Sequence, residues 1–156
     1  NETIAASIAQ MKAVSESERI RIKLEPSTDP LTASVRRADL WAIVTNLVAN
    51  SIQAAGYSHA RGRKFPSERE IVVSFRRDGN DLEISCEDNG PGLPEKPTNW
   101  IWEVYNTTKP GGSGLGLYII ADIVGSYAGT RLALPSTRFP TGALFKITLP
   151  GVFRVD

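Results

Sequence analysis

The sequence predicts an α+β fold, a mixed and mostly antiparallel sheet covered by helices on one face. Three observations carry this. Residues 19–24 alternate, with Ile20, Ile22 and Leu24 on one side and Arg19, Arg21 and Lys23 on the other, the pattern of a half-buried strand. Residues 70–77 and 81–87 read as two strands joined at Asp78-Gly79-Asn80, a hairpin signal. Helical stretches separate these strands from a last pair, near 130–134 and 143–149.

Taken in order, residues 2–17 carry Ile4, Ile8, Met11 and Val14 at spacings of four and three, which predicts an amphipathic helix. This divides the chain into an N-terminal helix over 1–18 and one domain over 19–156. Prolines at 26 and 30 break the first strand. A long helix follows over 37–55 and is expected to stop at Gly56, a suitable C-terminal glycine. Residues 57–69 are polar, basic and loop-like. A glycine- and proline-bearing loop over 88–113 leads into a helix over 115–127. Neither internal repeats nor low-complexity segments occur.

Composition bounds the function. A chain of 156 residues, 41% hydrophobic and 22% charged, suits one soluble domain with a single core. The net charge of +1 gives no overall field toward nucleic acid or an acidic membrane. The cluster Arg61, Arg63, Lys64 and Arg69 reads as a solvated loop. A single cysteine, Cys86, cannot form an internal disulfide and fits a reducing, cytoplasmic setting. No apolar run approaches the roughly 18 residues of a membrane span. The chain begins at Asn1 without a signal peptide, which predicts a segment of a longer protein.

The helix around Asn50 carries the first chemical signal. Leu40, Ile43, Val44, Leu47 and Val48 form one apolar arc, and Asp39, Asn46, Asn50 and Gln53 line up beside it. Between Asp39 and Gly56 there is no charged residue, unlike an ordinary surface helix. Two readings fit. The asparagines cap neighbouring loops, or their amide oxygens face a metal–phosphate group without adding charge that repels the phosphates.

Two glycine-bearing segments follow. Asp88-Asn89-Gly90-Pro91-Gly92 comes directly after a strand. It reads either as a plain turn or as a carboxylate that accepts a hydrogen bond from an exocyclic amine, beside glycines that let a flat ligand approach. Gly111-Gly112-Ser113-Gly114-Leu115-Gly116-Leu117 opens a helix, whose exposed N–H groups and dipole suit a phosphate. No βαβ unit precedes it, so it is not the dinucleotide-binding fingerprint. Thr107, Thr108 and Lys109 lie just upstream, and Lys109 reads either as a phosphate-binding cation or as a surface lysine.

In this order the motifs resemble the catalytic ATP-binding domain of sensor histidine kinases, within the wider group that includes gyrase, mismatch-repair ATPases and heat-shock chaperones. Asn46-Leu47-Val48-Ala49-Asn50-Ser51 looks like the N box, Asp88-x-Gly90-x-Gly92 like the G1 box, and Gly112-x-Gly114-Leu115-Gly116-Leu117 like the G2 box. Residues 101–109 are similar to an Ile-Phe-Glu-Pro-Phe-x-Thr-Thr-Lys pattern, and Gly129 with Gly142-Ala143-Leu144-Phe145 matches the family's ending. The resemblance runs from about residue 20 to residue 150.

It implies a two-layer α/β sandwich of the Bergerat type with a mobile ATP lid over about 94–113. The cofactors implied are ATP and Mg²⁺. Asn50 would hold the metal, Asn46 would sit beside metal and phosphates, and Asp88 would read the adenine amine, with Gly90 and Gly92 admitting the base. Gly112, Ser113, Gly114, Leu115 and Gly116 would wrap the phosphates with Thr108 and Lys109, and Gln53 joins the nucleotide-binding set. Catalytic duty would fall on Asn46, Asn50 and Lys109.

Departures from the pattern place the chain near the nitrogen-regulatory kinases. Ala42 stands where Glu or Gln is frequent, Gln53 and Ala54 where Lys and Tyr are, and Trp102, Val104, Tyr105 and Asn106 alter the lid. Lys109 is then the candidate cation for the phosphates. The resemblance also implies missing parts: a dimerising helical hairpin with the phosphoacceptor histidine, a response regulator downstream, and membrane contact only through other parts of the parent. Residues 1–18 are either the tail of that hairpin or a helix of this domain. His59, the only histidine, reads as a solvent-facing loop residue. The rival readings are a related ATPase or serine kinase and a nucleotide-sensing module. Gyrase-like hydrolases place a glutamate base where this chain has Asn46, which cannot accept a proton.

Overall fold

The computed structural model describes residues 9, 20–25, 33–60, 68–97, 99–105, 107 and 113–153, with the backbone alone over 55–60. The helix expected over 2–17 apart from Ala9, which is helical, the basic residues Arg61, Arg63 and Lys64, and the site candidates Thr108, Lys109 and Gly112 lie outside the described residues.

Among the described residues, five strands and two helices form the domain: β1 (Ile20–Glu25), α1 (Arg37–Ala60), β2 (Arg69–Asp78), β3 (Asp81–Asp88), α2 (Gly116–Ser126), β4 (Thr130–Pro135) and β5 (Ala143–Leu149). A short 3-10 turn, Trp100–Trp102, lies between β3 and α2. The sheet order is β1-β2-β3-β5-β4. Only β1 and β2 pair in parallel, across the crossover made by α1. The other pairs are antiparallel, so the sheet is mixed and mostly antiparallel, as expected.

The hairpin between β2 and β3 turns on Gly79-Asn80, with Gly79 at φ +60°. Its register sets Val73 opposite Cys86 and Phe75 opposite Ile84. Ile84 in turn faces Ile147 on β5. These side chains share one face of the sheet and meet Ile43, Val44, Leu47 and Val48 of α1 and Ile120 and Val124 of α2, all buried. Each such aliphatic removed from water contributes about 1.5–3 kcal/mol before entropy is subtracted. The apolar arc of α1 read from the sequence is therefore the sheet-facing arc.

Helix α1 does not stop at Gly56 but continues to Ala60. A glycine inside a helix costs about 1 kcal/mol relative to alanine, a penalty that the packed turns before it absorb. Residues 57–60, expected as loop, are thus helical. The second helix ends in a motif with Ala128 in the left-handed region at φ +52°. Its carbonyls are satisfied by Ala128 N–H to Gly125 (3.0 Å) and Gly129 N–H to Val124 (2.9 Å). These boundaries leave the start of α2, the end of β3 and the middle of α1 at one edge of the helical layer.

Candidate active site

Helix α1 connects the pieces. Asn46 is half-buried on it, and its Nδ2 donates to the Ala42 carbonyl at 2.8 Å, which leaves Oδ1 as the outward end of the amide. A Cβ built on Gly116 would come within 3.1 Å of that Oδ1, so the first residue of α2 rests directly against Asn46. Asn50 lies one turn further along the same side, also half-buried, whereas Gln53 is exposed.

The next residue along α1, Ser51, is 1% exposed and was not among the candidates. Its Oγ donates to Asp88 Oδ2 at 2.9 Å. Asp88 itself is buried at the end of β3, where its Oδ1 accepts the Gly90 N–H at 2.9 Å and the Ala143 N–H at 3.4 Å. Protein donors therefore hold both carboxylate oxygens in a fixed orientation. Gly142, at φ +136°, passes so close that a Cβ would fall 1.8 Å from the Asp88 carbonyl oxygen. Ser51 had one sequence signal: it stands four residues after Leu47, a lone hydroxyl continuing the apolar arc. Asn89 serves the frame, accepting the Glu70 N–H at 2.9 Å and donating to the Glu68 carbonyl at 3.0 Å.

Cys86 lies beneath this corner, its Sγ 3.7 Å from Ser51 Oγ. Burial pushes its thiol up to about 12, so it stays protonated and packs as an apolar group.

At the glycine loop, α2 begins after Gly114, at φ +68°, and Leu115, which has no side-chain acceptor to cap the helix. Ser113 Oγ accepts the Leu115 N–H at 3.3 Å. The first turn of α2 thus presents backbone donors and the positive end of its dipole beside Asn46.

Two sequence groupings change. Asp39 lined up with Asn46 and Asn50 along α1, but its carboxylate is taken by Arg36 Nε (2.7 Å) and by the Tyr127 hydroxyl (2.6 Å). It fastens the start of α1 to the end of α2 and stands apart from the site. Burial opposes its charge, but Tyr127 and Arg36 prevail and hold its carboxyl below the usual range. The segment expected to form the lid is anchored at its middle, where Ile101 and Trp102 are buried in the core. Trp102 packs edge-on against Phe145, ring centres 5.9 Å apart. Beyond it, Tyr105 takes φ +63° and donates its N–H to the Gly114 carbonyl at 3.1 Å, joining this segment to the glycine loop.

Among the described residues, no three His, Cys, Asp or Glu side chains converge as a metal cage. The candidates that the sequence offers for a metal–phosphate group are the amides of Asn46 and Asn50. That chemistry fits Mg²⁺ arriving with nucleotide phosphates, which supply much of its coordination, rather than a resident ion held by protein alone. No helix of the described residues is long and apolar enough to cross a membrane.

A model of the family described as histidine kinase-, DNA gyrase B-, and HSP90-like ATPase matches residues 35–152. The chain is 33% identical over 138 residues to the sensory histidine kinase/phosphatase NtrB of Rhizobium meliloti, covering 81% of this chain and 35% of that protein. It spans 26% and 19% of the lengths of two further sensor proteins that it matches. The catalytic domain of histidine kinase ThkA superposes with a TM-score of 0.79 at 22% identity, covering 97% of this chain and 91% of that one. Full-length ShkA in complex with AMPPNP also reaches 0.79, at 20% identity, over 99% of this chain and 30% of that one. The two structures attest the fold, and the family model spans all three motif segments that meet along α1. The chain belongs to the histidine kinase-, DNA gyrase B-, and HSP90-like ATPase family.

Proposed function

We propose that this domain binds Mg·ATP and positions the γ-phosphate for transfer to a histidine on a separate helical hairpin of the same kinase. The observation that carries the reading is that one helix, α1, touches both ends of the site: Asn46 rests against Gly116 at the start of α2, and Ser51 holds Asp88. The base belongs at Asp88, Gly90 and Gly92, and the phosphates at residues 112–116 with Thr108 and Lys109. Gln53 stands at the outer rim of that set. Asn50 would hold Mg²⁺, with Asn46 beside it, and the metal when bound would supply positive charge against the phosphates. The protein's share of the work is positioning and electrostatics.

Asn46 distinguishes this site from a hydrolase. Its amide cannot take a proton from water, whereas a neutral imidazole is already nucleophilic without such a base. The transferred phosphoryl forms a P–N bond as the bond to the ADP oxygen breaks. The parent protein supplies the hairpin, dimerises through it, and hands the phosphoryl to a response regulator. The domain works in the cytoplasm, and any membrane tether lies in other parts of the parent. In the longer native chain, γ-labelled ATP is expected to leave an acid-labile, alkali-stable label. Asn50→Ala should abolish that label while leaving the circular dichroism spectrum unchanged. An acid-stable label of the serine type would contradict the reading.

A further inference from the structure

The connection between β4 and β5 is held by two successive carboxylates that leave β3 on opposite faces. Asp88 takes its far end, at Gly142 and Ala143. Glu87, only 7% exposed, takes its near end. A single oxygen, Glu87 Oε1, accepts from Ser136 Oγ (2.7 Å), Thr137 N–H (2.7 Å), Arg138 N–H (2.8 Å) and Thr137 Oγ1 (3.3 Å). The loop is closed on itself by Ser136 N–H to the Gly142 carbonyl at 3.0 Å. Phe139 N–H adds a bond to Ser136 Oγ at 2.9 Å. Arg138 then reaches the other edge of the sheet, with a bidentate pair to Glu25 at 2.9 and 3.0 Å. Burial opposes the charge on Glu87, but the Ser136 hydroxyl and the Arg138 and Thr137 N–H groups prevail and hold its carboxyl below the usual range.

We infer that Glu87 is a positioning residue for the base-binding carboxylate: by anchoring residues 136–138 it fixes Gly142 and Ala143, and through them the orientation of Asp88. The path is short and continuous, from Glu87 to Ser136, across the loop-closing bond to Gly142, and onto the Asp88 carbonyl and Oδ1. A Glu87 that merely stiffened the sheet would lower stability without altering which base is bound. This inference rests on Asp88 reading the adenine amine.

The test measures affinities of the chain for Mg·ATP, Mg·GTP and Mg·tripolyphosphate by calorimetry. Glu87→Ala is expected to weaken Mg·ATP roughly tenfold and to shrink the ATP-over-GTP ratio, a coupling of ordinary size. Tripolyphosphate should bind as in the wild type. Glu87→Gln, whose amide oxygen can accept the same N–H groups, should restore most of the ratio. If Glu87→Ala does not fold, Ser136→Ala cuts the same anchor from the loop side and decides the question by the same ratio. Asp88→Asn separates the two claims. A collapsed ratio there beside an unchanged ratio in Glu87→Ala overturns the positioning role alone. An unchanged ratio in Asp88→Asn removes the base-reading assignment, and this inference with it.

Discussion

Ser51 Oγ donates to Asp88 Oδ2 at 2.9 Å, so helix α1 fixes from below the carboxylate that closes β3. Both groups are buried, and the bond joins residues 37 apart in sequence. Removing the hydroxyl takes one donor away from a buried acceptor, which costs on the order of 1–3 kcal/mol. Ser51→Ala should therefore weaken adenine nucleotides and reduce discrimination against guanine, with a smaller effect than Asp88→Asn. Competition titrations with ATP and GTP read this directly. Wild-type discrimination in both variants would remove Asp88 from the base site.

The contact between Gly116 and Asn46 yields a prediction with two parts. Alanine is a better helix former than glycine by up to about 1 kcal/mol, which offsets the strain of fitting the added methyl, so Gly116→Ala should leave thermal stability close to that of the wild type. The added methyl meets Asn46 Oδ1 at 3.1 Å, while Asn46 Nδ2 is tied to the Ala42 carbonyl at 2.8 Å, so the amide has little room to yield. Affinity for Mg·ATP should fall nonetheless. A variant that keeps both its stability and its affinity would show that Asn46 and the start of α2 do not act together on the phosphates.

Much of this was legible in the sequence, for identifiable reasons. Alternating faces and Gly79-Asn80 gave the β2–β3 hairpin because strand period and turn chemistry are local. The N-box helix was legible because its apolar arc and its lack of charge are both periodic. The end of α1 was not, since a glycine stops a helix only when its surroundings favour the left-handed turn, and here the helix runs on to Ala60. Asp39 misled because helical spacing puts it in line with Asn46. Its partner Tyr127 is 88 residues away, and no local pattern announces it. Ser51 and Glu87 were hidden in the same way, each defined by a partner brought in by the sheet order. The insertion of β5 between β3 and β4 is a property of tertiary pairing alone.

Acid should loosen the joint between the two helices. The carboxyl of Asp39 is held below its ordinary range by Tyr127 and Arg36 against the effect of burial. A depressed folded pKa contributes stability that is fully present above the unfolded value, about 3.9. That stability is lost as pH falls through the folded value. Thermal midpoints are expected to be flat near neutrality and to drop below roughly pH 4, with a shallower drop in Asp39→Asn. Tyr127→Phe, which removes a hydrogen bond to a charged group, should cost about 1.5–3 kcal/mol at neutral pH. Equal acid sensitivity in wild type and Asp39→Asn would assign the transition to other carboxylates.

The central claim is that this domain delivers the γ-phosphate to a histidine elsewhere and does not spend it on water. The most direct measurement incubates the purified domain with γ-labelled ATP, with and without the kinase's helical hairpin on a second polypeptide, and follows both free phosphate and protein label. Asn46 provides no base for water, so the isolated domain should bind Mg·ATP, release phosphate very slowly and leave His59 unlabelled. Adding the hairpin should place the label on its histidine. Brisk phosphate release from the domain alone, with no label reaching the hairpin, would contradict the account and identify an ATPase.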